Sequence, residues 1–436
     1  MPNHETFEPA RTLAGLAPAR PIEVIASPDR TIEPLMPPER ISEPARWPIR
    51  PGLMQLNHGS YGSCPAVVGE AQAELRRRLE SDPVRFFKHD LERYADAARR
   101  AIGSFVGAPA EDLALVPNGT FAIATALHGA GLGPGDEVLI TNHEYAATIN
   151  ELDRLCARAG CQKVVAKVPF PKVTPDDVVD AVLGAITQRT KLVVVSHIAS
   201  ATALVFPVER IVPAVRERGI DILVDGAHTP GQLPLNIHEL APTYYAASCH
   251  KWLCTPKGTG FIYAEPDAQR RIKPLALSCR VHETRADRKA FLCDFDYVGT
   301  GDYSANLVTP VAIDHLGAQM PGGWDTLYQR NHQLARAGAR VVCDRLGIDQ
   351  PVPDAMTGTM VGVVLPDCPG GNPPGDLFDD ALWDRLYTDH NIQIPIWDLP
   401  GVATRIMRLS AQLYNTLDDY ERLGEALAVE LARERC

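Results

Sequence analysis

One lysine stands where an amine can do chemistry instead of meeting solvent. Lys251 follows the apolar run 244–247 and precedes a glycine-rich return at 258–260. The pattern therefore predicts an amine at the end of a buried strand. A buried amine loses proton affinity and becomes a nucleophile that forms a Schiff base with an aldehyde. Taken alone, however, a lysine in a loop is more often a solvated surface residue.

An acid upstream strengthens the chemical interpretation. Asp225 ends the apolar run 222–224, which predicts a buried parallel strand, and ligands bind at the carboxyl ends of such strands. Taken alone, Asp225 is equally well explained as a helix cap or a turn residue. Pyridoxal phosphate needs an amine to hold its aldehyde and an acid to keep its pyridine nitrogen protonated. The ordered pair Asp225 and Lys251 therefore predicts a site for this cofactor.

Other candidate residues follow predicted strands or open helices. Gly119 and Thr120 stand where a helix begins, so free N–H groups there favour an anion such as a phosphate, although Thr120 also suits a plain helix cap. Tyr145 follows a strand and is suited either to stacking on a planar ring or to ordinary packing. Arg408 is a natural partner for a substrate carboxylate, with a surface ion pair as the alternative.

Composition limits the classes of function. The 436 residues carry a net charge of −11, which argues against a general nucleic-acid or anionic-membrane surface. No apolar run approaches a membrane span, and the first residues do not resemble a signal peptide. The ten cysteines are scattered without a Cys-x-x-Cys pair, so we expect reduced thiols in a cytoplasmic protein and no metal site.

The elements that position these residues alternate between strand and helix. From about 113 to 264, apolar runs and helical patterns follow each other, which predicts an α/β domain with a mostly parallel sheet and helices on both faces. We expect a Pro-rich arm at 1–50, a large domain at 51–308 and a smaller C-terminal α+β domain at 309–436. The glycine run 129–135 resembles a dinucleotide fingerprint, but Pro134 occupies the third glycine position, so a nicotinamide enzyme is not favoured.

Six short motifs together resemble one family. They are Asn57-His58-Gly59-Ser60, Glu144-Tyr145, Asp225-Gly226-Ala227-His228, Ser248-Cys249-His250-Lys251-Trp252-Leu253, Val298-Gly299-Thr300 and Arg408-Leu409-Ser410. In this order the set resembles the class V aminotransferase superfamily of fold-type I pyridoxal-phosphate enzymes, and most closely its isopenicillin N epimerase-like branch. The resemblance runs from about Leu53 to the C-terminus and implies a sheet of the seven-stranded type.

The resemblance also implies a role for each matched residue. Lys251 would hold the cofactor and move the α-proton of an amino-acid substrate, with Tyr145 as a second acid–base group on the opposite face. The cofactor-binding residues implied in this way are Gly119, Thr120, Ser200, Asp225, His228, Ser248, His250 and Thr300. Thr300 would reach the phosphate bound to a neighbouring subunit, so a homodimer is implied. The residues implied on the substrate side are Arg408, Asn57 and His58.

The reaction itself stays open between several outcomes. Many members of the superfamily carry a histidine where this chain has Tyr145, whereas the epimerase-like branch has tyrosine. A phenol both stacks and donates a proton, so Lys251 and Tyr145 suit epimerisation and also C–S β-elimination. Class V transamination or a cysteine desulfurase-like reaction is the alternative, although Ser278-Cys279-Arg280 is an unconvincing match to a persulfide carrier. A non-catalytic scaffold of the same fold is the remote alternative.

Overall fold

The computed structural model describes residues 46–281, 285–349 and 352–435. The N-terminal arm predicted at 1–50 lies almost entirely outside these residues. Within the described ranges, no helix combines the length and the apolar character that a membrane crossing requires.

The largest sheet has seven strands in the order β2-β8-β7-β6-β5-β3-β4. Their bounds are Leu113–Val116 (β2), Glu137–Thr141 (β3), Gln162–Ala166 (β4), Thr190–Ser196 (β5), Asp221–Asp225 (β6), Tyr244–Ser248 (β7) and Gly260–Ala264 (β8), while Met54–Gln55 forms the earlier strand β1. Five consecutive members, β7 to β4, are parallel, and β8 is antiparallel to both of its neighbours. The predicted α/β class with a mostly parallel seven-stranded sheet is confirmed.

Helices cover both faces of this sheet because its strands are apolar on both sides. Val193 and Val195 of β5 pack into one core, and the alternating Leu192 and Val194 pack into the other. The longer helices are Ala66–Ser81, Leu91–Val106, Gly119–Gly129, Ala146–Ala159, Pro175–Gly184 and Val208–Arg216. Shorter helical segments are His58–Tyr61, Pro83–Arg85, Phe86–Asp90, Ala110–Asp112, Ile237–Leu240, Ala290–Asp296 and Ser304–Leu307.

The C-terminal part forms a smaller α+β unit with its own apolar core. Its strands are Met360–Val364 (β9), Ile392–Gln393 (β10), Ile396–Leu399 (β11) and Ala403–Ser410 (β12), and β11-β12-β9 form an antiparallel sheet. Its helices are Gly323–Leu346, Ala381–His390 and Leu417–Arg433, whereas the segments Thr309–Gly317 and Asp354–Met356 place Ile313 and Met356 in the core of the large sheet. The strand β1 pairs with β10, and Met54 and Leu56 pack into the C-terminal core. The division at 308 stays a prediction.

The carboxyl edge of the large sheet is the point where several loops meet. Strands β3, β5, β6 and β7 are parallel, so the residues that follow them emerge at the same edge. The register places Ser196 beside Asp225 at the ends of β5 and β6. The strand β12 of the smaller unit carries Arg408 to the same region, where its side chain contacts Ser200.

Candidate active site

A cleft of about 320 Å³ opens at this edge. Most of the predicted site residues line it: Gly119, Thr120, Tyr145, Ser200, Asp225, His228, Ser248, His250 and Lys251. They come from strand ends, loops and a helix start that are up to 132 residues apart in the chain, from Gly119 to Lys251. The shared strand direction therefore brings together the amine and the acid on which the cofactor prediction depends.

The Lys251 side chain lines the cleft and is partly buried. Its Nζ lies 3.1 Å from Nε2 of His228. Burial, to which the positive charge of Arg408 adds and which Asp225 opposes, lowers the pKa of Lys251 to about 8. About a tenth of this amine is consequently unprotonated and nucleophilic at pH 7, far more than for an ordinary lysine.

Asp225 is the last residue of β6 and is buried beneath the cleft. Its Oδ1 accepts a hydrogen bond of 2.9 Å from the N–H of Ala227. Burial raises the pKa of Asp225, and this hydrogen bond and the charge of Lys251 partly offset the effect. A buried carboxylate of this kind is stabilised by a positively charged partner, and a protonated pyridine nitrogen supplies that charge.

His228 presents a buried nitrogen without a protein partner. Its Nδ1 makes no hydrogen bond in the described part of the chain, while its Nε2 faces Lys251. Burial and the nearby positive charges hold the pKa of His228 well below its usual range, so the ring is neutral. An unpaired buried polar atom in a cleft indicates a missing ligand contact.

The phosphate end of the predicted site lies at the start of the helix Gly119–Gly129. The N–H of Gly119 donates to Oγ of Ser248 over 3.0 Å, and Asn118 caps the helix by accepting from the N–H of Phe121. A Cβ at position 119 would lie 3.0 Å from that Oγ, so glycine keeps this corner open. The helix dipole and the N–H groups of the first turn, which have no partner within a helix, favour an anion here.

His250 completes this corner, and its hydrogen bond determines which of its ring nitrogens carries a proton. Its Nδ1 lies 3.0 Å from the carbonyl oxygen of Thr259, so Nδ1 carries a proton and donates it. Burial lowers the pKa of His250 to about 4, and therefore Nε2 is unprotonated in the free site. Donation from Nε2 to a phosphate requires the charged ring, a form that a bound dianion favours.

Arg408 is a buried guanidinium held mainly by neutral groups. Its Nη1 donates to the carbonyl oxygen of Ser200 over 2.5 Å, and its Nη2 lies 3.0 Å from Oγ of Ser60 and 3.4 Å from Oδ1 of Asn57. Its Nε has no partner among the described residues, and its charge lies over the Trp397 ring at 5.0 Å.

Burial lowers the pKa of Arg408 to about 10. Within the described ranges no carboxylate forms an ion pair with this side chain. A buried charge without a counter-charge is costly, and a substrate carboxylate would supply the bidentate partner that a guanidinium prefers. Asn57 contacts Arg408 but does not itself line the cleft.

His58 lies behind the lysine instead of facing the substrate side. It is fully buried, with Nε2 at 2.9 Å from the carbonyl oxygen of Lys251 and Nδ1 at 2.9 Å from the Tyr414 hydroxyl. Its ring contacts Trp252 at a centroid distance of 4.9 Å. Burial lowers the pKa of His58 to about 3, so the ring is neutral. The geometry therefore makes His58 a support for the Lys251 backbone. His58 does not line the cleft, and its predicted contact with a substrate stays a prediction.

Thr300 is also outside the cleft of its own chain. Its hydroxyl lies 2.9 Å from that of Tyr297, in a neighbouring cavity of about 350 Å³. Gly258 lines both cavities. The predicted contact of Thr300 with a phosphate depends on a second subunit and stays a prediction.

Several residues at or near the cleft had no role assigned from the sequence, and three of them carry polar groups of interest. Lys257 lines the cleft and donates to the carbonyl oxygen of Gly62 over 3.1 Å, and burial lowers its pKa. Tyr61 lies at the mouth with 75% of its surface exposed. Glu144 is buried behind the wall. In the sequence, Tyr61 lies near Gly59, Glu144 precedes Tyr145, and Lys257 precedes the glycine-rich return. This proximity indicates that the three residues lie near the site, but it does not indicate what they do there.

The comparison with protein families identifies the chain. The sequence profile of Aminotransferase class-V matches residues 62–297, more than half of the protein. The chain belongs to the class V aminotransferase family. Among curated relatives, isopenicillin N epimerase of Amycolatopsis lactamdurans is 32% identical over 391 residues, covering 86% of this chain and 95% of the relative. A putative L-cysteine desulfhydrase 1 of Oryza sativa subsp. japonica is 29% identical, covering 86% of this chain and 83% of the relative.

Solved structures support the class V fold. A cystine C–S lyase, C-DES, in complex with cysteine persulfide aligns with a TM-score of 0.72 at 22% identity, covering 88% of this chain and 97% of that chain. The apo cysteine desulfurase from Thermococcus onnurineus NA1 aligns with a TM-score of 0.73 at 18% identity, covering 91% and 98%.

Membership in the class V family confirms that the protein is an enzyme that uses pyridoxal phosphate. The residues present fit that cofactor. The cleft contains a buried amine with a lowered pKa, a buried acid at a strand end and an unpaired imidazole nitrogen. Lys251 would hold the aldehyde carbon, Asp225 would pair with the ring nitrogen, and the corner at Gly119, Ser248 and His250 would take the phosphate.

Proposed function

We propose that this class V enzyme removes the α-proton of a small amino acid and eliminates a sulfur-linked β-substituent. The observation that carries the proposal is the electrostatic coupling of Lys251 to Arg408, a buried guanidinium with no carboxylate partner in the described residues. The first group suits proton abstraction, and the second suits capture of an α-carboxylate beside it. A cleft of about 320 Å³ is at the small end of ligand sites and favours a small substrate.

Each residue has a part in this reaction. Arg408 binds the substrate carboxylate and thereby directs the Cα–H bond toward Lys251. Bound pyridoxal phosphate supplies the electron sink that stabilises negative charge at Cα. Asp225 keeps the proton on the ring nitrogen, His58 fixes the backbone of Lys251 from behind, and the Nζ of Lys251 accepts the α-proton.

Elimination fits the asymmetry of the two faces of the site. Lys251 is partly buried and held beside His228, whereas Tyr145 is 49% exposed. A reaction that uses one well-positioned base needs only Lys251. The relatives named L-cysteine desulfhydrase provide independent support for this outcome.

Epimerisation is the second candidate, and Tyr145 is the observation that favours it. Its side chain lines the same cleft as Lys251, and the relative that is 32% identical is named isopenicillin N epimerase. A phenol donates a proton, so Tyr145 would protonate Cα on the second face.

An amino-acid panel in deuterated water separates these outcomes. We expect the purified holoenzyme to form a keto acid, ammonia and a thiol or sulfide from a sulfur-bearing L-amino acid. Deuterium in unreacted substrate of inverted configuration would instead establish epimerisation. A Tyr145→Phe variant should keep elimination and lose inversion, and a pyridoxamine form of the cofactor would indicate transamination.

We also propose that the enzyme works as a homodimer with a shared site. The proposal is supported by the family resemblance, which implies that Thr300 of one subunit would reach the phosphate of the other, and by the position of Thr300 in a cavity that shares Gly258 with the cleft. Sedimentation should give a dimer, and Thr300→Ala should weaken cofactor binding without changing the dimer. A monomer with full activity would contradict this arrangement. The predicted cytoplasmic location stays a prediction.

A further inference from the structure

Glu144 is a buried acid one residue before the half-exposed Tyr145. It lies in the loop between β3 and the helix Ala146–Ala159, and 3% of its surface is exposed. The Oγ1 of Thr141 donates to its Oε1 over 2.9 Å, and the N–H of Ser196 donates to the same oxygen over 3.1 Å. The other oxygen, Oε2, lies 2.7 Å from Oγ of Ser196. This one carboxyl group therefore joins the ends of β3 and β5.

The clamp formed by Glu144, Thr141 and Ser196 stands directly behind the cleft wall. Ser196 lines the cleft and is paired in register with Asp225 on β6. The carboxyl group of Glu144 thus lies near the acid that pairs with the ring nitrogen. Two ionised carboxylates there would repel each other in a buried setting and would compete for the same positive charge.

The partners of Glu144 are hydroxyl and N–H groups, and in the described chain no lysine or arginine forms an ion pair with it. Burial, to which the charge of Asp225 adds, raises the pKa of Glu144 to about 7, although the hydrogen bonds from Ser196 and Thr141 oppose the shift. The three donors alone would favour the ionised carboxyl group, whereas deep burial, the absence of a lysine or arginine partner among the described residues and the neighbouring Asp225 favour the form that keeps its proton. In that form Oε2–H donates to Oγ of Ser196 while Oε1 accepts both other hydrogen bonds.

We propose that Glu144 is a positioning residue that acts as a neutral carboxylic acid. Its clamp fixes the loop that carries Tyr145 at the cleft, and its neutrality leaves Asp225 as the acid that is charged opposite the ring nitrogen. The expected change in kcat rests on the proposed function. The clamp itself does not, because it is a property of the cofactor site.

The proposal makes an unusual prediction about substitutions. Glu144→Gln removes the ability to ionise but keeps the length, one acceptor and one donor, so it should hold the loop. Glu144→Ala removes all three contacts and should release it. We expect Glu144→Gln to keep kcat within about threefold of the wild type. Glu144→Ala also frees Ser196, which is paired with Asp225, so it should displace the acid at the cofactor and lower kcat roughly a hundredfold with little change in KM.

Glu137 offers a matched control at the opposite end of β3. It is also a buried acid, but it bonds to Thr187 and Arg189, far along the strand from the cleft. Glu137→Gln should alter thermal stability and leave the cofactor site unchanged. A second probe of the clamp, Ser196→Ala, removes one of the three contacts and should have an intermediate effect.

The decisive readouts do not require turnover. We would measure the circular dichroism of the bound cofactor and the hydrogen–deuterium exchange of segment 142–148 in each holoenzyme. The proposal predicts wild-type dichroism and exchange for Glu144→Gln, altered dichroism and faster exchange for Glu144→Ala, and an intermediate result for Ser196→Ala. If Glu144→Ala does not fold, the Ser196→Ala and Glu144→Gln holoenzymes decide the question by the same two measurements.

Two results would overturn the proposal. If Glu144→Gln alters the circular dichroism of the bound cofactor as much as Glu144→Ala does, an ionised carboxylate is required. Wild-type dichroism and exchange in Glu144→Ala, or in Ser196→Ala where that is the variant measured, would show that the clamp does not position the site. Failure of the proposed elimination would appear separately, as a wild-type enzyme that binds cofactor normally but releases no keto acid.

Discussion

Burial of the Lys251 amine should cost the apoenzyme stability in a way that depends on pH. The pKa of this amine is about 8 in the folded chain and about 10.5 when unfolded, so the unfolded chain binds more protons between these values. The cost is therefore fully present below pH 8 and disappears as the pH rises toward 10.5. Lys251→Met removes the charge while filling similar space, and should stabilise the apoenzyme at neutral pH.

The size of the effect follows from the pKa difference. A shift of about 2.5 units corresponds to about 3 kcal/mol at pH 7, falling to about 1 kcal/mol at pH 10. With an unfolding entropy of about 2 cal/mol/K per residue, Lys251→Met should raise the thermal midpoint by roughly 3 °C at pH 7 and by roughly 1 °C at pH 10. Scanning calorimetry of the cofactor-free proteins measures both differences.

A surface lysine provides the control for this experiment. Lys191 is exposed at the start of β5, so Lys191→Met should change the midpoint little and by the same amount at both pH values. A Lys251→Met apoenzyme that is less stable than the wild type at pH 7, or whose advantage does not shrink at pH 10, would refute the argument that a desolvated amine stands in this cleft.

Three further substitutions test the other groups of the site. Arg408→Lys keeps the charge but loses bidentate geometry, so steady-state kinetics should show KM raised roughly tenfold to a hundredfold, and an unchanged KM would exclude Arg408 as the carboxylate partner. Asp225→Asn removes the charge opposite the ring nitrogen and should slow α-proton exchange, followed by NMR in deuterated water, roughly a hundredfold or more, whereas wild-type exchange would contradict that pairing. Phosphate binding to the apoenzyme requires a charged His250, so the affinity for inorganic phosphate should fall as the pH rises. Calorimetry should show a steeper fall in the wild type than in His250→Gln. Equal slopes would show that His250 does not bind the phosphate.

The amine and the acid could be predicted because strand direction determines where they emerge. Asp225 and Lys251 each follow an apolar run, and parallel strands bring such ends to one edge of the sheet. The same rule placed Gly119 and Tyr145 at the cleft. For these residues the local pattern and the sheet topology contain the necessary information.

The remaining features depend on contacts between distant parts of the chain. His58 was expected on the substrate side because of its motif, but its hydrogen bond to Tyr414, 356 residues away, turns it behind Lys251. No periodicity in the sequence signals such a contact. The pairing of β1 with β10 and the clamp between Glu144 and Ser196 are likewise products of tertiary packing. Thr300 depends on a second chain, which one sequence does not describe.

The most direct test of the account is to trap the cofactor and locate its attachment. The purified holoenzyme should be yellow, and borohydride should bleach it and leave pyridoxyl phosphate covalently bound to the protein. Peptide mass spectrometry should then find the added mass on Lys251. Attachment to another lysine, or a protein that takes up no cofactor, would contradict the assignment on which the proposed chemistry depends.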